Sequence, residues 1–168
     1  MAAVTTLPAA FLANTILTAS ELNALRGAFR VLQVVSASST TAVATTSATY
    51  VTSGLAATIT PSSSSSKIYI VATFPYDSST GASQAHATLF RGTVAGTNLA
   101  AGGDPTFGNI LAVSGGQLRG TYTASFLDSP ATTSATTYTV GIKSGASPTF
   151  TAMINGSTGT ITLMEISA

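Results

Sequence analysis

The chain has 168 residues, a net charge of +1 at pH 7 and no cysteine, and only 7% of its residues are Asp, Glu, Lys or Arg, against about 25% in an ordinary soluble domain. Without cysteine there is neither a disulfide framework nor a thiolate metal site. The basic residues Arg26, Arg30, Lys67, Arg91, Arg119 and Lys143 are too scattered to neutralise a phosphate backbone, which excludes nucleic acid as the expected partner.

Ser and Thr, roughly a third of the chain, take the place of the missing charges. Such a surface has little to keep copies of itself apart. No stretch approaches the ~20 consecutive apolar residues of a spanning helix. The opening "MAAVTTLPAAFLANTILTAS" has no basic residue ahead of its apolar part and makes a poor secretory signal. The expectation is an intact, soluble chain without membrane insertion, one domain with an arm.

Residues 1–17, which include Pro8, show no sustained period. "TASELNALRGAFRVL" follows, with Thr18 and Glu21 spaced as a capping box. Leu22, Leu25, Phe29 and Leu32 then fall on one helical face. Gly27 costs about 1 kcal/mol relative to alanine inside a helix, so the pattern predicts one short helix. The spacing of the four apolar residues resembles a short coiled-coil seam and marks them as candidate assembly residues. Residues 1–35 are thus read as arm, helix and lead-in strand, and residues 36–168 as the folded domain.

From Arg30 onward the pattern is that of strands: "RVLQVVS", "SASSTTAVATTSATYVTSG", "LAATITP", "KIYIVATFPYD", "QAHATLFRG", "QLRGTYTASFLDS", "TTYTVGIKS", "TFTAMINGS" and "GTITLMEIS". Each is short, rich in β-branched or aromatic residues and closed by turn residues. About eight or nine such runs predict an all-β antiparallel sandwich. The serine run Ser62–Ser66 separates segments too small to close a core alone, so it is expected to be a surface loop within one domain, with Pro61 turning the chain out of the sheet. Asp128 and Ser129 before Pro130 predict a turn in which the carboxylate caps local N–H groups. Asn155-Gly156 predicts a hairpin that makes the last two strands neighbours. The glycine-rich stretch 91–117 reads as long rim loops with weak strand signals at Ile110–Val113.

No catalytic chemistry is assembled by this pattern, and no enzyme, cofactor or metal is expected. His86 lies in a strand-like run and is read as half-exposed. No Gly-x-Ser-x-Gly elbow precedes a helix. Asp77, Asp104 and Asp128 fit turns, Glu21 a helix cap and Glu165 the last strand, which leaves no carboxylate pair for glycoside hydrolysis. The stretches "GGDP" and "SGGQ" lack the lysine and helix of a phosphate loop, and Asp104 lacks the partners of a calcium loop. Tyr76 and Phe107 are the candidate rings for a receptor- or partner-facing loop.

"FLANTILTASELNALRGAFRVLQVV" resembles the N-terminal segment of small phage virion proteins encoded around tail and fibre genes. "SSKIYIVATF", "LFRGT", "SFLDSPATTSATTYTVGIKS" and "TGTITLMEIS" are similar to the β-sandwich of the same proteins. The resemblance covers most of the chain and rests on structural motifs. It implies a jelly-roll-like sandwich, a homotrimer, other virion proteins as neighbours, and a place on the particle's exterior after synthesis in the host cytoplasm. A tail-fibre, baseplate or receptor-binding component facing a host glycan or protein is the leading expectation. A capsid decoration protein is the close alternative, and a carbohydrate-binding or adhesin module a further one.

Overall fold

In "LAATI" and "KIYIVATF" every second side chain is apolar, and a chain that alternates in this way gains most by extending and turning one face inward. The computed structural model describes residues 30–79, 84–100, 106–111, 116–145 and 149–167, and these form eleven strands. They are β1 (Val31–Ser39), β2 (Val43–Thr45), β3 (Val51–Ile59), β4 (Lys67–Ser78), β5 (Gln84–Arg91), β6 (Thr97–Asn98), β7 (Gly108–Leu111), β8 (Leu118–Asp128), β9 (Thr136–Ser144), β10 (Phe150–Ala152) and β11 (Gly159–Ile166). The fold class is all-β, and the one helical element among the described residues is a single 3-10 turn at Ile154–Gly156.

All pairings are antiparallel. In the first sheet the order runs β1-β11-β4-β10-β2, with β8 on the other edge of β4; in the second it runs β3-β9-β5-β6, with β7 also on β5. With the short β2, β6 and β10 set aside, the remaining strands pair first with last and inward from there: β1–β11, β3–β9, β4–β8 and β5–β7. Successive pairs alternate between the two sheets. This is one long hairpin rolled onto itself, the jelly-roll arrangement.

The core lies between the sheets. Leu55 and Ile59 of β3, Ile68, Ile70 and Phe74 of β4, Leu89 of β5, Tyr138 and Ile142 of β9, and Ile161 and Leu163 of β11 are almost wholly buried. Each such side chain contributes roughly 1.5–3 kcal/mol relative to exposure.

The two outer faces differ. On the second sheet, β5 is buried along both faces from Ala85 to Phe90 because loops cross over it. The Tyr50 ring meets Phe90 edge-on at 5.3 Å, Thr88 Oγ1 donates to Asn98 Oδ1 at 2.8 Å, and Thr139 Oγ1 donates to the Gly92 carbonyl at 2.7 Å. Gly141, between Thr52 and Thr88 in the sheet, leaves room for this cover: a Cβ there would lie 2.5 Å from a Phe90 ring carbon. Among the described residues no such layer covers the outer face of β8, β4, β11 and β1 on the first sheet, where Val34 is 58% and Leu127 48% exposed.

Several expectations are corrected. Leu32, assigned to the helical stripe, lies in β1, because the β-branched run after Arg30 pairs with β11; the boundary at residue 35 falls inside that strand. Leu22, Leu25 and Phe29 lie outside the described residues, as do Glu21 and Asp104. The stretch read as rim loops contains β6 and β7. His86 is 3% exposed rather than half-exposed, since β5 is covered on both faces.

Asn155-Gly156 does form a tight turn, with φ of 55° and 72° and Ser157 N–H donating to the Ile154 carbonyl at 3.0 Å. It does not make β10 and β11 neighbours. Both pair with the same edge of β4, β10 at Tyr76–Ser78 and β11 at Lys67–Thr73, so the turn is an excursion within one interrupted strand. Pro75 explains where the interruption falls. Its carbonyl accepts from Met153 N–H at 2.8 Å, and the N–H it lacks would point the same way, into the break between β10 and β11, where no ladder bond is lost.

Candidate interaction surface

At one end of the sandwich, the core-facing positions Gln33, Glu165, Ile68 and Asp128 form a row across β1, β11, β4 and β8. Glu165 is wholly buried. Gln33 Nε2 donates to its Oε2 at 2.7 Å, and Ser62 donates to Oε1 through N–H at 2.7 Å and Oγ at 2.6 Å. Burial by itself would raise this carboxyl. The hydrogen bonds from the Ser62 hydroxyl, Gln33 and the Ser62 backbone outweigh it and hold the group down at about 2. The serine run is therefore a loop of the domain, as expected, pinned at Ser62 to the last strand.

Asp128 joins the two sheets. Arg91 grips it in bidentate fashion, Nε to Oδ2 at 2.8 Å and Nη2 to Oδ1 at 2.6 Å, and Tyr138 Oη donates to Oδ2 at 2.7 Å. The hydrogen bond to Asp128 raises the Arg91 guanidinium further. Burial first, then the bond to the carboxylate, pushes the Tyr138 hydroxyl well above its ordinary value. The expected local cap is corrected: Asp128 ends β8 and bonds across the sandwich.

Asp77 sits within β4 rather than in a turn; Gln117 Nε2 donates to its Oδ2 at 2.6 Å, and Arg119 Nε lies 4.0 Å from Oδ1. It is at the far end of β4 from Ile68. Glu165 and Asp128 are thus the two carboxylates brought closest in register, separated by the Ile68 strand at roughly 10 Å between backbones. Both are spent on fixed partners. Among the described residues no three of His, Asp and Glu gather as a metal site, and no helix is long and apolar enough to cross a membrane.

The two candidate aromatic rings turn inward. Tyr76 belongs to β4, packs against the core, and its ring stands 5.6 Å from that of Phe150. Phe107 meets Phe126 edge-on at 5.5 Å, and both pack against the same core. Their loop-like sequence context hid an inward strand position in one case and a core-capping ring in the other.

The outer face of the first sheet carries what the sequence reading overlooked. One residue along from the clamped row, Val34, Met164, Tyr69 and Leu127 stand opposite one another on β1, β11, β4 and β8. All five large apolar side chains left exposed among the described residues fall at this end: Val31, Leu32, Val34, Tyr69 and Leu127. The next row is Ser36, Thr162, Val71 and Ser125, and the one after it Ser38, Thr160, Thr73 and Thr123. Here hydroxyls pair across strands, Ser36 Oγ with Thr162 Oγ1 at 3.2 Å and Thr73 Oγ1 with Thr123 Oγ1 at 3.0 Å. The face grades from apolar to hydroxylated with no charge in these three rows.

The clamps and the apolar row are adjacent in sequence. Gln33 precedes Val34, Glu165 follows Met164, Ile68 precedes Tyr69 and Asp128 follows Leu127. Fixing the inner row restrains the backbone of the outer one. The available signal was a strand apolar on both faces, as in Tyr69 and Val71 of "KIYIVATF" or Met164 and Ile166 of "TITLMEIS". Compared with known proteins, the chain matches no family model and no curated protein.

Proposed function

We propose that this chain is a non-enzymatic structural protein of a bacteriophage particle's exterior, a homotrimer set beside other virion proteins, in a tail-fibre, baseplate or receptor-binding role. The observation that carries the reading is the outer face of the first sheet: braced from behind, uncharged across its central rows and apolar at the end where residues 1–29 join. Interface centres are depleted of charge, and contiguous exposed apolar patches mark association surfaces. The resemblance of both the N-terminal segment and the strands to small phage virion proteins supports the virion setting.

Mass-spectrometric counting of the chain in purified particles, with antibody labelling to locate it, tests the proposal. A few copies at the tail are the expected result. A capsid decoration protein is the second reading, favoured by the two hydroxyl-rich, uncharged rows of the same face, which suit lying against a shell of other subunits; it predicts many copies spread over the head. Absence from particles removes both. A monodisperse monomer that binds sugar on a glycan array would instead favour a carbohydrate-binding module.

A further inference from the structure

Resting on that reading of a self-assembling protein, we infer that the apolar end of the first sheet's outer face is the surface on which a second copy of this chain docks. The patch is not an arbitrary stretch of sheet. It begins at Val31 and Leu32, in the irregularity that ends the β1–β11 ladder, and continues through Val34 to Tyr69 and Leu127.

Twenty-nine residues precede Arg30, and they join the described chain at the edge of this patch. Their sequence carries Leu22, Leu25 and Phe29 at helical spacing, apolar residues that lie close in sequence to the exposed Val31 and Leu32 of β1. A second copy carries an identical uncharged apolar patch, and copies arranged about a symmetry axis that passes beside it bring these patches together.

Charge points the same way. The apolar row Val34, Met164, Tyr69, Leu127 and the hydroxyl row beside it contain no ionisable side chain other than the Tyr69 phenol. Lys67, opposite Ile166, stands at the rim. Two copies bring no like charges together at the centre, and at a net charge of +1 they have little long-range repulsion to overcome. The clamps behind the row hold its strands in the free chain, so docking does not have to order them.

The experiment is sedimentation velocity on the full chain over a wide concentration range, with circular dichroism to confirm an unchanged β fold. Val34→Lys and Leu127→Lys place an ammonium in the patch at positions exposed enough to leave the fold intact. Thr121→Lys places it on the exposed, polar end of the same face. The wild type is expected to be oligomeric, the two patch variants to dissociate at concentrations at least tenfold higher than the wild type does, and Thr121→Lys to stay within twofold of it.

Patch variants that assemble like the wild type overturn the inference and leave the self-assembly reading standing. A wild type that remains monomeric throughout overturns both. Because the chain has no native cysteine, Leu127→Cys gives a clean maleimide readout. Protection of its thiol that rises with concentration supports docking of a second copy. Protection already complete in a monomer assigns the cover to the chain's own N-terminal residues and overturns the proposal.

Discussion

The two outer faces of this sandwich solve the same problem in opposite ways. Both sheets carry apolar residues on the side away from the core: Phe90 on the second, Val34, Tyr69 and Leu127 on the first. The second sheet closes over Phe90 with its own loops, Tyr50 from one side and the turn after β5 from the other, over the clearance that Gly141 leaves. The first sheet leaves its row open and stiffens it from behind with Glu165 and Asp128. Among the described residues, one outer face is covered by the fold's own loops and the other is braced but open, which is the division that the proposed association needs. Breaking the brace, loosening it with acid, overfilling the cover and thinning the open row probe that division in turn.

The largest effect is expected from Asp128→Ala. It strands the Arg91 guanidinium and the buried Tyr138 hydroxyl together, and removing one partner of a buried pair costs about 3–5 kcal/mol. The Arg91 side chain is 34% exposed and recovers some water, so about 4 kcal/mol is the expected loss, read by urea denaturation at pH 7. A loss under about 1 kcal/mol would mean that the inter-sheet clamp does not brace the open face.

The other clamp makes stability depend on pH. Glu165 is held at about 2 against the ordinary 4.5; a depressed carboxyl contributes stability that is complete above the unfolded value and fades as pH falls from about 4.5 through about 2. At 1.36 kcal/mol per unit the contribution is about 3 kcal/mol. Denaturation midpoints measured between pH 2 and 7 should fall steeply across that window in the wild type and less steeply in Glu165→Gln. Equal slopes would show that the carboxylate is not held by Ser62 and Gln33.

On the covered face, Gly141→Val should cost about 2 kcal/mol, within the usual penalty for overpacking, because its Cβ meets the Phe90 ring. The cost should shrink when Phe90 is already alanine, a non-additivity that a double-mutant cycle detects. Additive losses would place the strain elsewhere than under the Tyr50–Phe90 layer.

The inward rows were legible from local alternation: Ile68, Ile70, Ala72 and Phe74 share one side of "KIYIVATF" whatever else the chain does, and all of them are core. The identity of the serine run as a loop followed from counting how many strands a core needs. What local pattern could not supply was any fact fixed by distant chain. Asp128 beside Pro130 reads as a turn residue, and its true partner Arg91 lies 37 positions away. Asn155-Gly156 dictates a tight turn but not which strand edge its flanks find, and β4 offered one edge to both. Tyr76 and Phe107 sit among loop-forming residues, yet their rings cap the core. The patch itself was hidden for the same reason: Tyr69 and Leu127 look alike in sequence to Phe90, and only the path of the crossing loops decides which of them is covered.

The smallest effect distinguishes association from folding most sharply. Val34→Ser and Leu127→Ser truncate side chains that the isolated chain leaves 58% and 48% exposed, so each should change unfolding free energy by no more than about 1 kcal/mol. The same change at Phe90, on the covered face, should cost several times as much, since truncating a buried aromatic loses about 3–5 kcal/mol. Measured under dilute conditions where copies are apart, the pair of results separates two meanings of an apolar residue: Phe90 holds the chain's own shape, whereas Val34 and Leu127 add far less to it. If Leu127→Ser instead destabilised the dilute chain as much as Phe90→Ser, the first sheet's outer row would already be part of an intramolecular core, and the open face would be no more available than the closed one.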